Sequence, residues 1–213
     1  MKQITLGSTG IQTPQNAFGA LPVQRVSMDQ AVKILQRAYE GGMTFFDTAR
    51  AYSDSEEKMG EAFGHMRDKI YIATKTAATT PDEFWRQLET SLHLLKTDYL
   101  DLYQFHCVNQ CYRPEDGTGM YECMLKAKEQ GMIRHIGVTA HNAQFFLNFR
   151  EFTVNRTVLS VCAVPGTVIA RFQAVNDKHS RIDRCINIIK CYLIKITVQR
   201  ISPMNTTIPS DHS

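Results

Sequence analysis

This 213-residue sequence contains no run approaching the ~18 apolar residues that a bilayer-spanning helix needs. Its first residues, MKQITLGSTG, hold no apolar core of the kind that drives export. Both absences point to a cytoplasmic protein with no membrane contact. Its six cysteines, Cys107, Cys111, Cys123, Cys162, Cys185 and Cys191, make no C-x-x-C pair, so reduced thiols are expected. His106-Cys107 with Cys111 fits no standard zinc spacing, and no metal site is expected. No G-x-G-x-x-G follows the first strand-like segment, which argues against a doubly wound dinucleotide-binding sheet. The formal charge of +3 is too small to attract nucleic acid.

What is present is a regular rhythm over the first two thirds. Residues 2–15 read as a hairpin turning at Ser8-Thr9-Gly10. Strand-like runs over 16–21, 44–49, 70–76, 100–106 and 133–141 then alternate with amphipathic helices. The first helix starts at Ser27, carries Ala31, Ile34, Leu35, Ala38 and Tyr39 on one face, and ends at Gly41-Gly42. A second covers roughly 55–66. The third opens on Thr80-Pro81-Asp82-Glu83, with Thr as cap and Pro at the first helical position, and presents Phe84, Leu88, Leu92 and Leu95. The fourth covers 119–130. Strand ends at Ala20, Asp47, Lys75, His106 and His141 recur about every thirty residues, the length of one βα unit. An α/β fold of TIM-barrel type, (β/α)8, is expected, incomplete at about five units and preceded by an N-terminal β-hairpin.

The rhythm stops near residue 142. Eleven of the twelve glycines precede that point and only Gly166 follows it. Residues 1–141 carry 15 Lys and Arg against 17 Asp and Glu, whereas residues 142–213 carry 9 against 4. Stretches 154–175 and 185–201 are rich in β-branched residues. Ile194, Ile196 and Val198 alternate as in a strand, while Ile182, Ile186, Ile189 and Leu193 lie at helical spacing, so both readings stand. The chain is therefore divided into 1–142, the barrel part, and 143–213, a divergent tail whose last residues, 202–213, are expected to be disordered. A change of reading frame near residue 142 would produce such a joint.

Asp47, Tyr52, Lys75 and His106 stand at or just beyond successive strand ends, where a barrel gathers its chemistry at one mouth. A carbonyl accepting hydride needs a proton on its oxygen as negative charge develops there. A phenol, with an ordinary pKa of about 10, is a poor acid near neutrality. A neighbouring ammonium is expected to lower that value, and a carboxylate beside the ammonium to hold it charged. An imidazole can orient the carbonyl. Outside this set, Glu56, Glu57 and Glu61 read as a solvated acidic face, and Arg134 and His135 as the start of a strand at the barrel's lower end.

The motifs that hold these residues are Phe45-Phe46-Asp47-Thr48-Ala49 followed by Tyr52, Ala73-Thr74-Lys75-Thr76, and Leu102-Tyr103-Gln104-Phe105-His106. In order and spacing they resemble the aldo-keto reductases over residues 1–142. The resemblance implies an eight-unit barrel behind an N-terminal hairpin and NADPH bound across the mouth. It also implies a small aldehyde or ketone as substrate. Tyr52 would be the general acid, Asp47 and Lys75 its tuning pair, and His106 the substrate orienter; Asp47 would also touch the nicotinamide ribose. Ser53-Asp54-Ser55-Glu56-Glu57-Lys58 and Gln110-Cys111-Tyr112-Arg113-Pro114 resemble a bacterial branch whose members end in a ferredoxin-like segment. The cysteine pattern of that segment is absent here, and no iron–sulfur cluster is expected.

Where the family holds the carboxamide with a Ser-Asn pair, this chain has Thr139 and Ala140, so Thr139 and Asn142 are the candidate replacements. Strands six to eight, the stacking residue and the basic loop for the 2′-phosphate have no legible counterparts after residue 142. The inherited chemistry is NADPH-dependent carbonyl reduction. The alternatives are a catalytically inactive remnant or partner-bound partial barrel, and an aldolase-like use of Lys75 as a Schiff-base nucleophile, against which Asp47 and Tyr52 argue.

Overall fold

The computed structural model describes residues 2–7, 9–110 and 112–140, and the backbone of Val158–Cys162, Ile169–Ala170, Gln173–Ala174 and Ile194–Lys195. An antiparallel hairpin, β1 (Gln3–Thr5) and β2 (Gln12–Pro14), precedes the main sheet. β3 (Phe18–Gly19) leads through a 3-10 turn, Leu21–Arg25, into α1 (Met28–Glu40). Ser27 caps α1 in a capping box: its hydroxyl accepts from the Gln30 N–H at 3.3 Å, and the Gln30 side chain accepts from the Ser27 N–H at 3.4 Å. β4 (Phe45–Asp47) and α2 (Ser55–Phe63) follow, then β5 (Tyr71–Thr76) and α3 (Pro81–Leu94). β6 (Leu100–Phe105), α4 (Met120–Glu129) and β7 (Ile133–Ala140) complete five strand-led units. The second helix is shorter than its sequence pattern indicates, because the chain turns into a 3-10 segment, Gly64–Lys69, at residue 64.

Strand order separates a barrel from a doubly wound sheet. Here β3, β4, β5, β6 and β7 lie side by side in chain order, all parallel. A doubly wound sheet instead reverses direction at its switch point. A sixth parallel strand, β8 (Val158–Cys162), pairs with β7 from Ile136↔Val158 to Ala140↔Cys162. Sequence reading found no sixth strand, because the helix caps and glycines that punctuate the earlier units are scarce around this β-branched stretch. β9 (Ile169–Ala170), β10 (Gln173–Ala174) and β11 (Ile194–Lys195) are short, and β10 pairs antiparallel with β8. Among the described residues, β3 and β10 are the outer strands of this seven-stranded sheet. The architecture is a partial α/β barrel.

Alternation along the strands creates two cores. On one face of the sheet Phe46, Ile72 and Tyr103 meet the helices, with Phe46 and Phe63 ring centroids 4.5 Å apart. On the other, Phe45, Ala73 and Leu102 meet the hairpin residues Leu6 and Ile11, so the hairpin plugs the inside of the barrel. Gly60 lets α2 approach the end of α3: a Cβ there would lie 2.0 Å from the Leu94 carbonyl oxygen. Arg134 does begin its strand at the lower end, where its guanidinium and that of Arg67 both donate to Asp101, at 3.0 and 2.7 Å, and flank the Tyr99 ring.

Candidate active site

The parallel register brings the sequence candidates to one end of the sheet. Gly19 lies opposite Asp47, Asp47 opposite Ala73, and Lys75 opposite Gln104. Asp47 is the last residue of β4 and Lys75 the fifth of six in β5, both on the inward face. His106 follows β6, its backbone N–H bonded to the Thr76 carbonyl at 2.8 Å. Tyr52 sits on the loop after β4, in a turn whose hydrogen bonds run from the Tyr52 N–H to the Ala49 carbonyl and from the Ser55 N–H to the Tyr52 carbonyl.

Lys75 is buried. Its Nζ donates to Asp47 Oδ2 and to the Thr48 carbonyl, each at 2.6 Å. The same nitrogen lies 5.2 Å from the centre of the Tyr52 ring. Tyr52 and His106 meet edge to face, with centroids 5.6 Å apart and ring planes at 79°. All four candidates therefore share one mouth. The acid, amine, phenol and imidazole form a continuous chain of contacts.

One expectation about this chain is corrected. Tyr52 was expected to be made more acidic by Lys75. Instead, burial pushes its phenol above the ordinary tyrosine range, and the Asp47 carboxylate and the Cys107 thiol push it further. Lys75 itself stands over the ring face, with its Nζ hydrogen-bonded to Asp47 and to the Thr48 carbonyl. Tyr52 is thus a neutral phenol over the whole ordinary pH range, with its proton in place.

Thr139, a candidate cofactor contact, is tied into the protein. Its hydroxyl accepts from the Cys107 N–H at 2.7 Å and donates to the Phe105 carbonyl at 3.3 Å, clamping the end of β7 to the end of β6. Asn142 lies outside the described residues. By contrast, Asp47 Oδ1 is buried with no protein partner, an acceptor available to a hydroxyl donor. Gln104, fully buried beside Lys75 in register, leaves both its amide atoms without a partner.

Sequence reasoning misplaced one residue. Glu57 and Glu61 are exposed as a solvated face requires, but Glu56 is completely buried behind β5, where it accepts from Thr74 Oγ1 at 2.6 Å and pairs with Arg50. The available signal was its spacing: Glu56, Gly60 and Phe63 lie at i, i+4 and i+7, the packed stripe of α2.

A sequence profile of the aldo/keto reductase family matches residues 3–146. Methylglyoxal reductase DkgB of Salmonella typhi is 30% identical over 189 residues, covering 85% of this chain and 64% of its own length, so that alignment extends past residue 146. Aldo-keto reductase str7 of Strobilurus tenacellus is 30% identical over 154 residues, covering 68% of this chain and 44% of its own. Among solved structures, the Klebsiella pneumoniae aldo-keto reductase in complex with NADPH superposes with a TM-score of 0.62 at 26% identity, over 72% of this chain and 55% of that one. The chain spans about half to two thirds of the length of the curated relatives it matches. Sequence profile, relatives and sheet order agree: the chain belongs to the aldo/keto reductase family.

Proposed function

We propose that this chain carries the acid–base apparatus of NADPH-dependent reduction of an aldehyde or ketone. The single observation behind this reading is the contact chain Asp47–Lys75–Tyr52–His106 at one barrel mouth. His106 would orient the carbonyl and Tyr52 would deliver the proton to its oxygen. A phenol held above its ordinary pKa still suits that step, because the oxygen it protonates becomes an alkoxide, a stronger base than phenolate. Lys75 Nζ would stand beside the phenolate left behind, and Asp47 keeps Lys75 in place.

The cofactor's contribution, when bound, is the hydride. The residues present fit it in part. Asp47 Oδ1, buried and unpartnered, suits a ribose hydroxyl. Thr139 has spent its proton on the Phe105 carbonyl and retains acceptor capacity only. In the same reading residues 1–142 carry the catalytic groups of the barrel, and the region after them adds β8 to the same sheet. A second reading, a partial barrel closed by a partner chain, draws on the outer strands β3 and β10, which have no further strand beside them in this sheet among the described residues.

NADPH titration followed by quenching of protein fluorescence tests the proposal, with Lys75→Met as control. Micromolar binding weakened at least tenfold in the variant supports it. No binding by a cooperatively folded wild-type chain would refute it in favour of the partner-bound reading.

A further inference from the structure

Glu56 takes no part in the proton transfer described above, yet it is 0% exposed and stands directly behind the site. Its Oε1 accepts from Thr74 Oγ1 at 2.6 Å, and its Oε2 pairs with Nη1 of Arg50. Nη2 of the same arginine donates to the Ser53 carbonyl at 3.1 Å, and the Arg50 backbone N–H donates to the Lys75 carbonyl at 2.9 Å. Tyr52 therefore stands between two residues, Arg50 and Ser53, that one guanidinium braces. The guanidinium and Thr74 are in turn held by one carboxylate.

Two further facts point the same way. Ser53 has φ of 40°, in the left-handed region that a serine seldom adopts. Such a conformation persists where its surroundings over-determine it, and it clusters at functional sites. Thr74 and Lys75 are neighbours on β5, so strand alternation puts Thr74 on the outer face against Glu56 while Lys75 faces the mouth. A single buried carboxylate is thus bonded next to both Tyr52 and Lys75. Stability alone gives little reason for it, since a buried ion pair is often no better than a hydrophobic replacement of similar volume. Burial pushes the Glu56 carboxyl up; the Thr74 hydroxyl and the Arg50 guanidinium oppose that shift.

We propose that Glu56 is a positioning residue: through Arg50 and Thr74 it fixes the Tyr52 loop against β5, and so sets where the phenol stands relative to Lys75. The kinetic consequence rests on the carbonyl-reduction reading; the structural consequence does not.

The experiment uses the full chain labelled with 3-fluorotyrosine, the Tyr52 resonance being assigned by its loss in Tyr52→Phe. Glu56→Gln is expected to shift or split that ¹⁹F line. Arg50→Gln/Glu56→Gln, which removes both charges together, is expected to bring it back towards the wild-type position. If the wild-type chain reduces 4-nitrobenzaldehyde with NADPH, kcat in Glu56→Gln falls about 10- to 100-fold while KM stays within about twofold. A purely stabilising role would lower the melting temperature and leave the Tyr52 line where it is, and that result overturns the proposal. A wild-type chain without reductase activity whose Tyr52 line still moves in Glu56→Gln supports the positioning role and rejects the carbonyl-reduction reading. Should Glu56→Gln fail to fold, Thr74→Val decides, since it removes only one donor: a shifted Tyr52 line supports the proposal and an unchanged one overturns it.

Discussion

Asp47 meets Lys75 at 2.6 Å through one carboxylate oxygen, Oδ2, while its other oxygen, Oδ1, is buried with no protein partner. The pair is therefore satisfied on the lysine side and open on the acid side. Removing the lysine should strand the acid. Lys75→Met is expected to lose on the order of 3 kcal/mol of stability, the cost of leaving one member of a buried pair uncompensated. Asp47→Asn/Lys75→Met should recover more than half of that loss. Urea unfolding of both variants measures the coupling. Additive losses would show that the two groups do not act as a pair.

Alkaline stability follows from two phenols, the buried Tyr103 and the half-buried Tyr52. Burial pushes both Tyr52 and Tyr103 above the ordinary tyrosine value, so the folded chain favours their neutral forms. That preference contributes fully below about pH 10, the unfolded value. It is lost as pH rises from there through the higher folded values, because the unfolded chain ionises first. The urea midpoint should fall between about pH 9 and pH 11, and Tyr103→Phe should reduce the fall. A midpoint that drops equally in both proteins would count against Tyr103 as a source of the effect.

The close approach of α2 to α3 depends on the missing side chain at Gly60. With Leu94 O only 2.0 Å from the position of an added Cβ, Gly60→Ala must push the helices apart, since backbone cannot rotate aside. A loss of about 1–3 kcal/mol, typical of overpacking, is expected despite alanine's better helix propensity. Differential scanning calorimetry reads it directly. A raised melting temperature would mean that propensity outweighs the clash.

Much of this was legible in the residues themselves. The helix starts at Ser27 and Thr80 carry chemistry that works locally, and both caps form. The strand ends at Asp47 and Lys75 were visible because a charged residue interrupts an apolar run there. Two things were not legible, for different reasons. Glu56 looked solvated because charge dominates a local reading, while its burial depends on Thr74 and Arg50, contacts supplied by the tertiary fold. The direction of the Tyr52 shift was hidden because it turns first on burial, which only the fold supplies, and then on the Asp47 carboxylate and the Cys107 thiol. Composition names the groups; only geometry says which atom of each faces which. The strand Val158–Cys162 was missed for a third reason: the glycines and caps that mark earlier units are scarce around it.

The most direct measurement is a single turnover of 4-nitrobenzaldehyde with NADPH deuterated at C4 of the nicotinamide, comparing wild-type chain with Tyr52→Phe. Deuterium appearing at the benzylic carbon of the alcohol, with a rate at least about 100-fold lower in Tyr52→Phe, is the predicted result. Equal rates in the two proteins, or no label transfer by a folded wild-type chain that binds the cofactor, would contradict the assignment of Tyr52 as proton donor in carbonyl reduction.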